Sequence, residues 1–335
     1  MKDKTLLSIC IPTFNGSETI GATLESILKQ SYQNFEIIIS DDCSADQTEK
    51  VIKSFKDSRI KFFKNKKNLG YGDNLNTFKP RITGEIMVLM AQDDLLLKDA
   101  LLKIAEGFLD PDIGVVARPF YQFEEDPKVP IRYWPPPSTI RNTVISIKSK
   151  KELIEAVIQA TYLVSCIAYR VKFLEVPFIS HVFTSQGYVC FSIFKKHKVL
   201  ILKDYIVAVR VYSSQCRFKS SIYEPSPVQT WIEVFNKTLP EKKYDKVRKI
   251  CQDYVAQNYV GLVQIKNWSR VQDLYEEIYM HIKYRKASLL DKRFWFYTLI
   301  CLFAPKIVLR RMVDFYKSKM LAKAIAGKVA IELSS

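Results

Sequence analysis

The sequence predicts an α/β fold, a mostly parallel sheet with helices on both faces, followed by a helical region at the carboxyl end. Three observations carry this. Short apolar runs in the first part of the chain alternate with segments of helical periodicity. Each run stops at a turn cluster or at a pair of acids. Beyond residue 213 the runs cease and helical spacing alone remains.

Residues 6–11 are apolar apart from Ser8 and form the first strand, which stops at Pro12-Thr13-Phe14-Asn15-Gly16. Asn15 with Glu18 reads as a variant capping box for a helix whose apolar face is Ile20, Leu24, Ile27 and Leu28. Residues 35–40 make a second strand closed by Asp41-Asp42. Ser44 and Gln47 then cap a helix running through Val51, Ile52 and Phe55. Residues 60–63 make a third strand, Asn68-Leu69-Gly70-Tyr71-Gly72 a turn, and residues 74–78 a short helix before Pro80. Residues 85–91 form the fourth strand, ended by Asp93-Asp94. Adjacent acids repel, and a divalent cation shared with phosphate oxygens would relieve that repulsion. The competing reading is a solvated turn that opens a helix over residues 98–108, with the acids favourable at its N-terminus.

Parallel strands place their carboxyl ends on one edge, where open α/β sheets bind ligands. Pro12-Thr13, Asp41-Asp42, the Asn68–Gly70 turn and Asp93-Asp94 should therefore surround one crevice. A nucleotide suits it. The Pro12 turn would hold base or ribose, Asp41 or Asp42 would accept a base imide hydrogen, Asp93 would reach ribose hydroxyls, and Asp94 a metal on the diphosphate. A helix-capping turn is the competing account of Asp41-Asp42.

Residues 8–15, Ser17-Glu18-Thr19-Ile20, residues 24–30 and 35–42, Asn68-Leu69-Gly70 with Asn74, and residues 83–94 together resemble the opening of the family-2 glycosyltransferases with the GT-A fold. The resemblance is dense and ordered over residues 5–101. It implies transfer of a sugar from a nucleotide-diphosphate sugar (UDP-, dTDP- or GDP-linked) to a glycan or lipid-linked acceptor, with Mg²⁺ or Mn²⁺ and inversion at the anomeric carbon. It further implies that Pro12, Thr13, Asn15 and Asp42 line the nucleoside, with Asp93 and Asp94 serving ribose and metal. One departure is Gln92, where the family often carries a third acid.

The second half matches less closely. Residues 113–116 read as a strand, residues 123–139 as a loop ending in Trp134-Pro135-Pro136-Pro137, and residues 150–160 as an amphipathic helix. Residues 161–170 resemble the family stretch ending in an aromatic-Arg pair, here Tyr169-Arg170. Inverting transfer needs a general base for the acceptor hydroxyl. Where the family places a Glu-Asp pair this chain reads Gln186-Gly187, and in place of Arg-x-His it has Arg210-Val211-Tyr212. Either a neighbouring titratable group (Glu175, His181 or Asp204) is the base, or the match is shifted in register, or catalysis is lost or altered. None of the three groups stands out.

Helical spacing continues over residues 228–235, 244–263 and 271–284. Residues 294–309 are the most apolar stretch, broken at Pro305-Lys306 and too short to span a bilayer. Around it stand Lys283, Arg285, Lys286, Lys292, Arg293, Arg310, Arg311, Lys317 and Lys319, against Asp291 and Asp314. That combination suits an interfacial anchor on anionic lipid, the alternative being a core helix with solvated bases. The net charge is +16, which favours polyanionic partners. Nucleic acid is disfavoured, because the bases cluster beside the apolar segment and not along an aromatic-lined groove. Seven scattered cysteines and an opening without a signal-peptide pattern fit a reducing compartment.

The expectation is therefore a GT-A domain over residues 1–213 and a basic helical region over 214–335. The protein would be cytoplasmic, peripheral on the inner face of the membrane, and would act in cell-surface polysaccharide synthesis such as O-antigen. The rival is a catalytically degenerate nucleotide-sugar-binding or scaffold protein.

Overall fold

The computed structural model describes residues 5–182, 184–211 and 223–315. β1 (Leu7–Thr13) and β2 (Phe35–Asp41) are buried almost throughout, which is why they read as unbroken apolar runs. The chain continues through α1 (Ile20–Leu28), α2 (Thr48–Ser54), β3 (Ile60–Lys64), α3 (Tyr71–Asn76), β4 (Ile86–Leu89), β5 (Leu95–Leu96), α4 (Ala100–Gly107) and β6 (Ile113–Ala117). β7 (Phe120–Phe123), β8 (Arg132–Trp134), β9 (Thr143–Ile145), α5 (Lys151–Gln159), β10 (Ile167–Arg170), α6 (Ser185–Phe194), β11 (Lys198–Ile201) and β12 (Val207–Arg210) follow.

The main sheet has the order β3-β2-β1-β4-β10-β6-β11-β9, and a smaller sheet the order β5-β12-β7-β8. From β3 to β4 the pairs are parallel, as the alternation of runs and helices requires. β10 then enters antiparallel between β4 and β6, with Ala168 facing both Val88 and Val116, so the sheet is mixed. Arg170 at its end donates to Phe108 O at 2.7 Å and Ile113 O at 3.0 Å, and so ties the α4–β6 connection to the sheet.

Alternate residues of one strand serve two cores. Ile37 and Ile39 face one cluster with Leu24, Ile27 and Ile104, whereas Ile38 joins Cys10, Met87 and Leu89 in another beneath α5 and α6. Each fully buried Ile or Leu contributes roughly 1.5–3 kcal/mol of transfer free energy, and the doubled use of each strand makes the sheet edge rigid.

Several local expectations change. Asn15 does not cap α1: it has φ 47°, and its side chain accepts from Ala45 N at 2.9 Å. Ser44 does not cap α2 either, since its hydroxyl is bonded to Asp41 and receives Asn15 N at 2.8 Å; Asp46 accepts from Thr48 N in its place. The Pro-rich stretch is not all loop. Arg132–Trp134 pairs with β7, and Trp134 stacks on Phe120 with ring centroids 6.2 Å apart, a cross-strand aromatic pair that overrides the turn signals. Asp93-Asp94 leads into β5 before α4 begins, so the acids do not open that helix.

After the second sheet come α7 (Pro227–Thr238), α8 (Asp245–Val255), α9 (Gly261–Trp268), α10 (Val271–Tyr284), the 3-10 turn Lys286–Leu290, α11 (Lys292–Phe303) and α12 (Lys306–Phe315). The single helix expected over residues 244–263 is therefore two, α8 and α9. Trp231 and Phe235 of α7 and Cys251 of α8 join the core that contains α6. α9, α10 and α11 share a separate small cluster built on Leu262, Ile265, Leu274 and Cys301. No helix among the described residues is long and apolar enough to cross a membrane. Six cysteines are free there, and Cys216 lies outside the described residues.

Candidate active site

The parallel register sets Thr13 beside Asp41, and Asp41 beside Lys64, so the strand ends form one edge. At the first end the turn is held by Gln92. Its Oε1 accepts from the Thr13 hydroxyl and from Phe14 N (2.9 Å), while its Nε2 donates to Phe14 O at 3.2 Å. An amide can do both and a carboxylate cannot donate. Gln92 therefore has a local reason to stand where the family often has an acid. A Cβ on Gly16 would lie 2.5 Å from Gln92 Oε1, so this turn and this amide fit only with glycine. Pro12 and Asn15 flank the turn, Asn15 receiving the Ala45 amide described above.

At the second strand end the structure gives Asp41 and Asp42 two different roles. Asp41 is fully buried and turned inward: Oδ1 accepts Ser44 N at 3.2 Å and the Ser44 hydroxyl, and Lys64 Nζ stands 3.9 Å from Oδ2. Burial raises its carboxyl above the ordinary range against those bonds. Asp42 instead clamps the next strand connection. Its Oδ1 accepts Leu69 N (2.8 Å) and Asn65 Nδ2 (3.0 Å), and Oδ2 accepts Gly70 N (2.9 Å). Gly70 has φ 81°, a left-handed conformation that brings its N–H onto the carboxylate. Asn68 Oδ1 receives the same N–H at 3.0 Å. A carboxylate oxygen can accept two bonds, so Oδ2 of Asp42 keeps one acceptor position for a ligand.

At the fourth strand end Asp94 is buried and Asp93 half-buried. Burial, and then the charge of Asp93, push the Asp94 carboxyl up to about 8 against bonds from the Ser165 hydroxyl and Arg210 N. The Arg210 amide lies 2.9 Å from Asp94 Oδ1, and its guanidinium reaches Asp93 O at 3.3 Å. Thr23 Oγ1, on α1, donates to Gln92 O (2.8 Å) and Asp94 O (2.9 Å), so α1 fixes the backbone of this acidic turn. Ser165 also accepts Ala91 N at 2.8 Å. Behind the turn Arg118 is 2% exposed and donates through Nη2 to Leu89 O and Ile167 O, both at 2.8 Å. Its Nε and Nη1 have no partner among the described residues, and burial pulls the guanidinium down to about 10.

Two adjacent carboxylates, one driven toward protonation by burial and then by its neighbour's charge, form a donor set that suits a divalent cation. Magnesium is commonly held by one or two carboxylates together with substrate phosphates and water. Among the described residues there is no group of three or more His, Cys, Asp or Glu, so the remaining ligands would come from diphosphate and solvent.

Sequence reasoning missed Ser165, Thr23, Arg118 and the structural part of Arg210. All but Arg118 contact the acidic turn from far along the chain, and no local pattern marks Ser165, Thr23 or Arg118. Arg210 drew attention only as part of Arg210-Val211-Tyr212, of which Tyr212 lies outside the described residues.

Gln186 is buried at the start of α6. Its Nε2 donates to the Tyr71 hydroxyl at 2.6 Å, and its carbonyl accepts the Tyr169 hydroxyl at 2.9 Å. Gly187 packs on Trp231, where a Cβ would come within 2.5 Å of the ring. Glu175 is exposed and held by Lys196 at 2.9 Å, and Asp204 by Lys103 at 3.1 Å; neither contacts a strand-end residue in the described bonds. His181 differs. Its segment lies on α3, with Asn76 Nδ2 donating to Phe178 O at 2.9 Å and Ile179 O against Gly72. Burial lowers its imidazole below the ordinary value, so it is neutral near pH 7.

The half-parallel sheet with carboxylates gathered at its strand ends defines a GT-A fold. The profile described as Glycosyl transferase family 2 matches residues 8–175, half of the chain, and the protein belongs to that family. Among curated relatives, the Escherichia coli UDP-Glc:alpha-D-GlcNAc-diphosphoundecaprenol beta-1,3-glucosyltransferase WfgD is 35% identical over 99 residues, 30% of this chain and 39% of its own. A Campylobacter jejuni GalNAc(5)-diNAcBac-PP-undecaprenol beta-1,3-glucosyltransferase is 37% identical over 98 residues, 28% of this chain and 32% of its own. The match thus spans about two fifths or less of these relatives' length. In structure the chain resembles S. aureus TarS 1-349 in complex with UDP-GlcNAc, with a TM-score of 0.62 at 16% identity over 96% of this chain and 92% of that one. That likeness shows the shared fold, which extends through the helical region.

Proposed function

We propose that the protein is a glycosyltransferase that moves a sugar from a nucleotide-diphosphate donor to a glycan or lipid-linked acceptor in cell-surface polysaccharide synthesis. The observation that carries this is the gathering of three differently held carboxylates, Asp42, Asp93 and Asp94, at the ends of β2 and β4, the parallel strands on either side of β1. The name of WfgD, which specifies UDP-Glc and a GlcNAc-diphosphoundecaprenol acceptor, favours UDP among the UDP-, dTDP- and GDP-linked donors. Inversion is the stereochemistry the family resemblance supports.

In this reading the Pro12–Asn15 turn and the Asn68–Gly70 turn hold the nucleoside, and Asp42 Oδ2 accepts the base imide hydrogen. Asp41 acts from behind by fixing the Ser44 hydroxyl. Asp93 meets the ribose, and Asp94 with Asp93 holds Mg²⁺ or Mn²⁺. The cation supplies charge stabilisation for the departing diphosphate, the main electrostatic demand of the reaction. Of the three candidate bases, the geometry favours His181, a neutral imidazole on a segment packed against α3.

The missing carboxylate at Gln186 specifically favours one other reading, a degenerate binder that retains donor affinity without turnover. Titration calorimetry with UDP, dTDP and GDP, with and without Mn²⁺, tests the donor site. Metal-dependent binding of one diphosphate that Asp94→Ala removes supports it, and no binding of any of the three overturns it. Turnover with the bound donor, lost in His181→Ala, then separates enzyme from binder.

The unit that performs this chemistry is proposed as residues 1–213, with residues 214–335 as a docking region. α11 supports a peripheral position on the cytoplasmic face of an anionic membrane. Its inner side packs Phe294, Thr298 and Cys301, while Trp295, Phe296, Leu299 and Phe303 are exposed on an arc of about 100°. Lys292 and Arg293 on α11 and Arg310 and Arg311 on α12 flank that ridge in sequence and are exposed, whereas Lys317, Lys319 and the Asp314 side chain lie outside what is described.

A further inference from the structure

We infer that a basic cavity beside the α10–α11 junction receives the phosphate headgroup of an anionic phospholipid at the point where the α11 ridge meets the bilayer. This rests on the membrane reading above and adds a ligand and a site to it. The cavity has a volume of 580 Å³ and is walled by Lys151, Lys249, Lys283, Arg285 and Lys286, with Asp253 as its one acid. That size lies within the range of small-molecule sites.

The charges are not cancelled from within. Lys249 is paired with Asp253 at 2.8 Å, Lys151 with Glu155 at 3.7 Å and Arg285 with Asp291 at 3.9 Å. Lys283 and Lys286 have no carboxylate partner among the described residues; Lys283 rests only on the rings of Tyr279 and Tyr284. Two ammonium groups held without counter-ions on the wall of a concave site attract a phosphate bearing more than one negative charge.

The cavity and the ridge are one bonded unit. The turn Lys286–Leu290 lines the cavity at its start and ends in Leu289 and Leu290, the latter 89% exposed. Trp295 Nε1, on the first turns of α11, donates to Leu289 O at 2.8 Å. Asp291 joins Arg285 of the cavity wall to Arg293 of α11, the second contact at 3.0 Å. A ligand that satisfies both halves carries phosphate at the level where an apolar layer begins. A phospholipid in a bilayer has that arrangement, and neither a nucleic acid nor an acidic peptide does.

The test is sedimentation of the full chain with phosphatidylcholine vesicles containing phosphatidate or phosphatidylglycerol at matched surface charge. The inference expects tighter binding to phosphatidate, whose phosphomonoester is exposed, by about tenfold, the scale of one to two basic side chains engaged at an anionic surface. Lys283→Ala with Lys286→Ala should abolish that preference while phosphatidylglycerol vesicles are still bound. Lys29→Ala with Lys50→Ala, the same charge change on the sheet region, should keep it. Phe296→Ser with Phe303→Ser should weaken binding to both lipids. A wild-type chain without the preference, or a cavity variant that retains it, overturns the cavity while leaving the membrane reading intact. Ridge variants that bind like wild type overturn the membrane reading itself.

Discussion

The sheet region and the helical region handle apolar surface in opposite ways. Among the described residues eighteen large hydrophobic side chains are exposed, and thirteen of them lie between Val260 and Met312. The sheet region buries its apolar residues on two faces and gathers its unusual groups, carboxylates, at one edge. The helical region packs α7 and α8 onto the sheet region's core, whereas α9 to α12 bury the small Leu262–Cys301 cluster and set many apolar groups outward among bases. In the proposed reading, one region holds a small anionic ligand through fixed polar groups and the other meets a broad surface. Breaking either should leave the other's readout unchanged.

The largest effect expected is from Asp94→Ala. It removes the buried carboxylate itself and should lower metal-dependent nucleotide diphosphate affinity by more than the roughly 10–100-fold that outer partners of a metal site cost. Ser165→Ala, which takes away one bond to that carboxylate, should fall within that range. Vesicle binding should be unchanged in both, and a parallel loss of vesicle binding would show that the two regions are not independent.

Asp42→Ala comes next. It leaves Leu69 N, Gly70 N and Asn65 Nδ2 without their acceptor, and a global loss of about 2–4 kcal/mol is expected in urea denaturation, since buried groups left unpaired cost about 1–3 kcal/mol each and this turn is partly wet. Gln92→Glu sharpens the point. It removes the donor to Phe14 O and adds a charge beside Asp93, so the metal-free protein should lose about 1–3 kcal/mol, part of it regained with Mn²⁺. A metal-free variant as stable as wild type would mean that the amide is not what holds the turn.

Much of this was legible in the sequence, for a physical reason. Strands buried on both faces need continuous apolar runs, and the acids that end them contrast sharply with those runs, so β1, β2, β4 and Asp93-Asp94 announce themselves. Groups that act across the fold do not. Ser165 and Arg210 reach Asp94 over 71 and 116 residues; no local pattern marks Ser165, and the motif position of Arg210 does not reveal its bond to Asp94. The antiparallel entry of β10 was likewise invisible, because four residues buried on both faces look the same in either direction. The capping boxes at Asn15 and Ser44 failed because both side chains found tertiary partners that local spacing could not reveal. The exposed ridge on α11 was foreseen only as composition: whether Phe294 or Phe296 faces the core depends on a helix rotation that packing against α9 decides.

The smallest effects expected are in pH dependence, and there the two regions again differ. Burial alone would raise Glu36 of β2, but bonds from Lys61, Ser8 and Thr83 outweigh it and hold the carboxyl at about 2. Its contribution is complete above the unfolded value near 4.3 and is lost as pH falls toward 2. Glu277 of α10 is buried and raised to about 7, against bonds from Ser226 and Val228 N. Between about 4.3 and 7 the folded chain keeps a proton that the unfolded chain releases, so this carboxyl makes stability fall as pH rises. His281, also on α10 and fully buried, is lowered to about 4 by burial against its bond to Ala256 O, and it opposes that slope between about 4 and 6.5. The two nearly cancel, which gives α10 a flat profile from two buried groups that each dislike charge. Glu277→Gln should therefore expose the histidine, with local stability of α10 by hydrogen exchange rising from pH 4.5 to 6.5 by up to about 1.4 kcal/mol per pH unit, while β2 stays level. An α10 profile that remains flat in this variant would show that Glu277 and His281 do not titrate against each other.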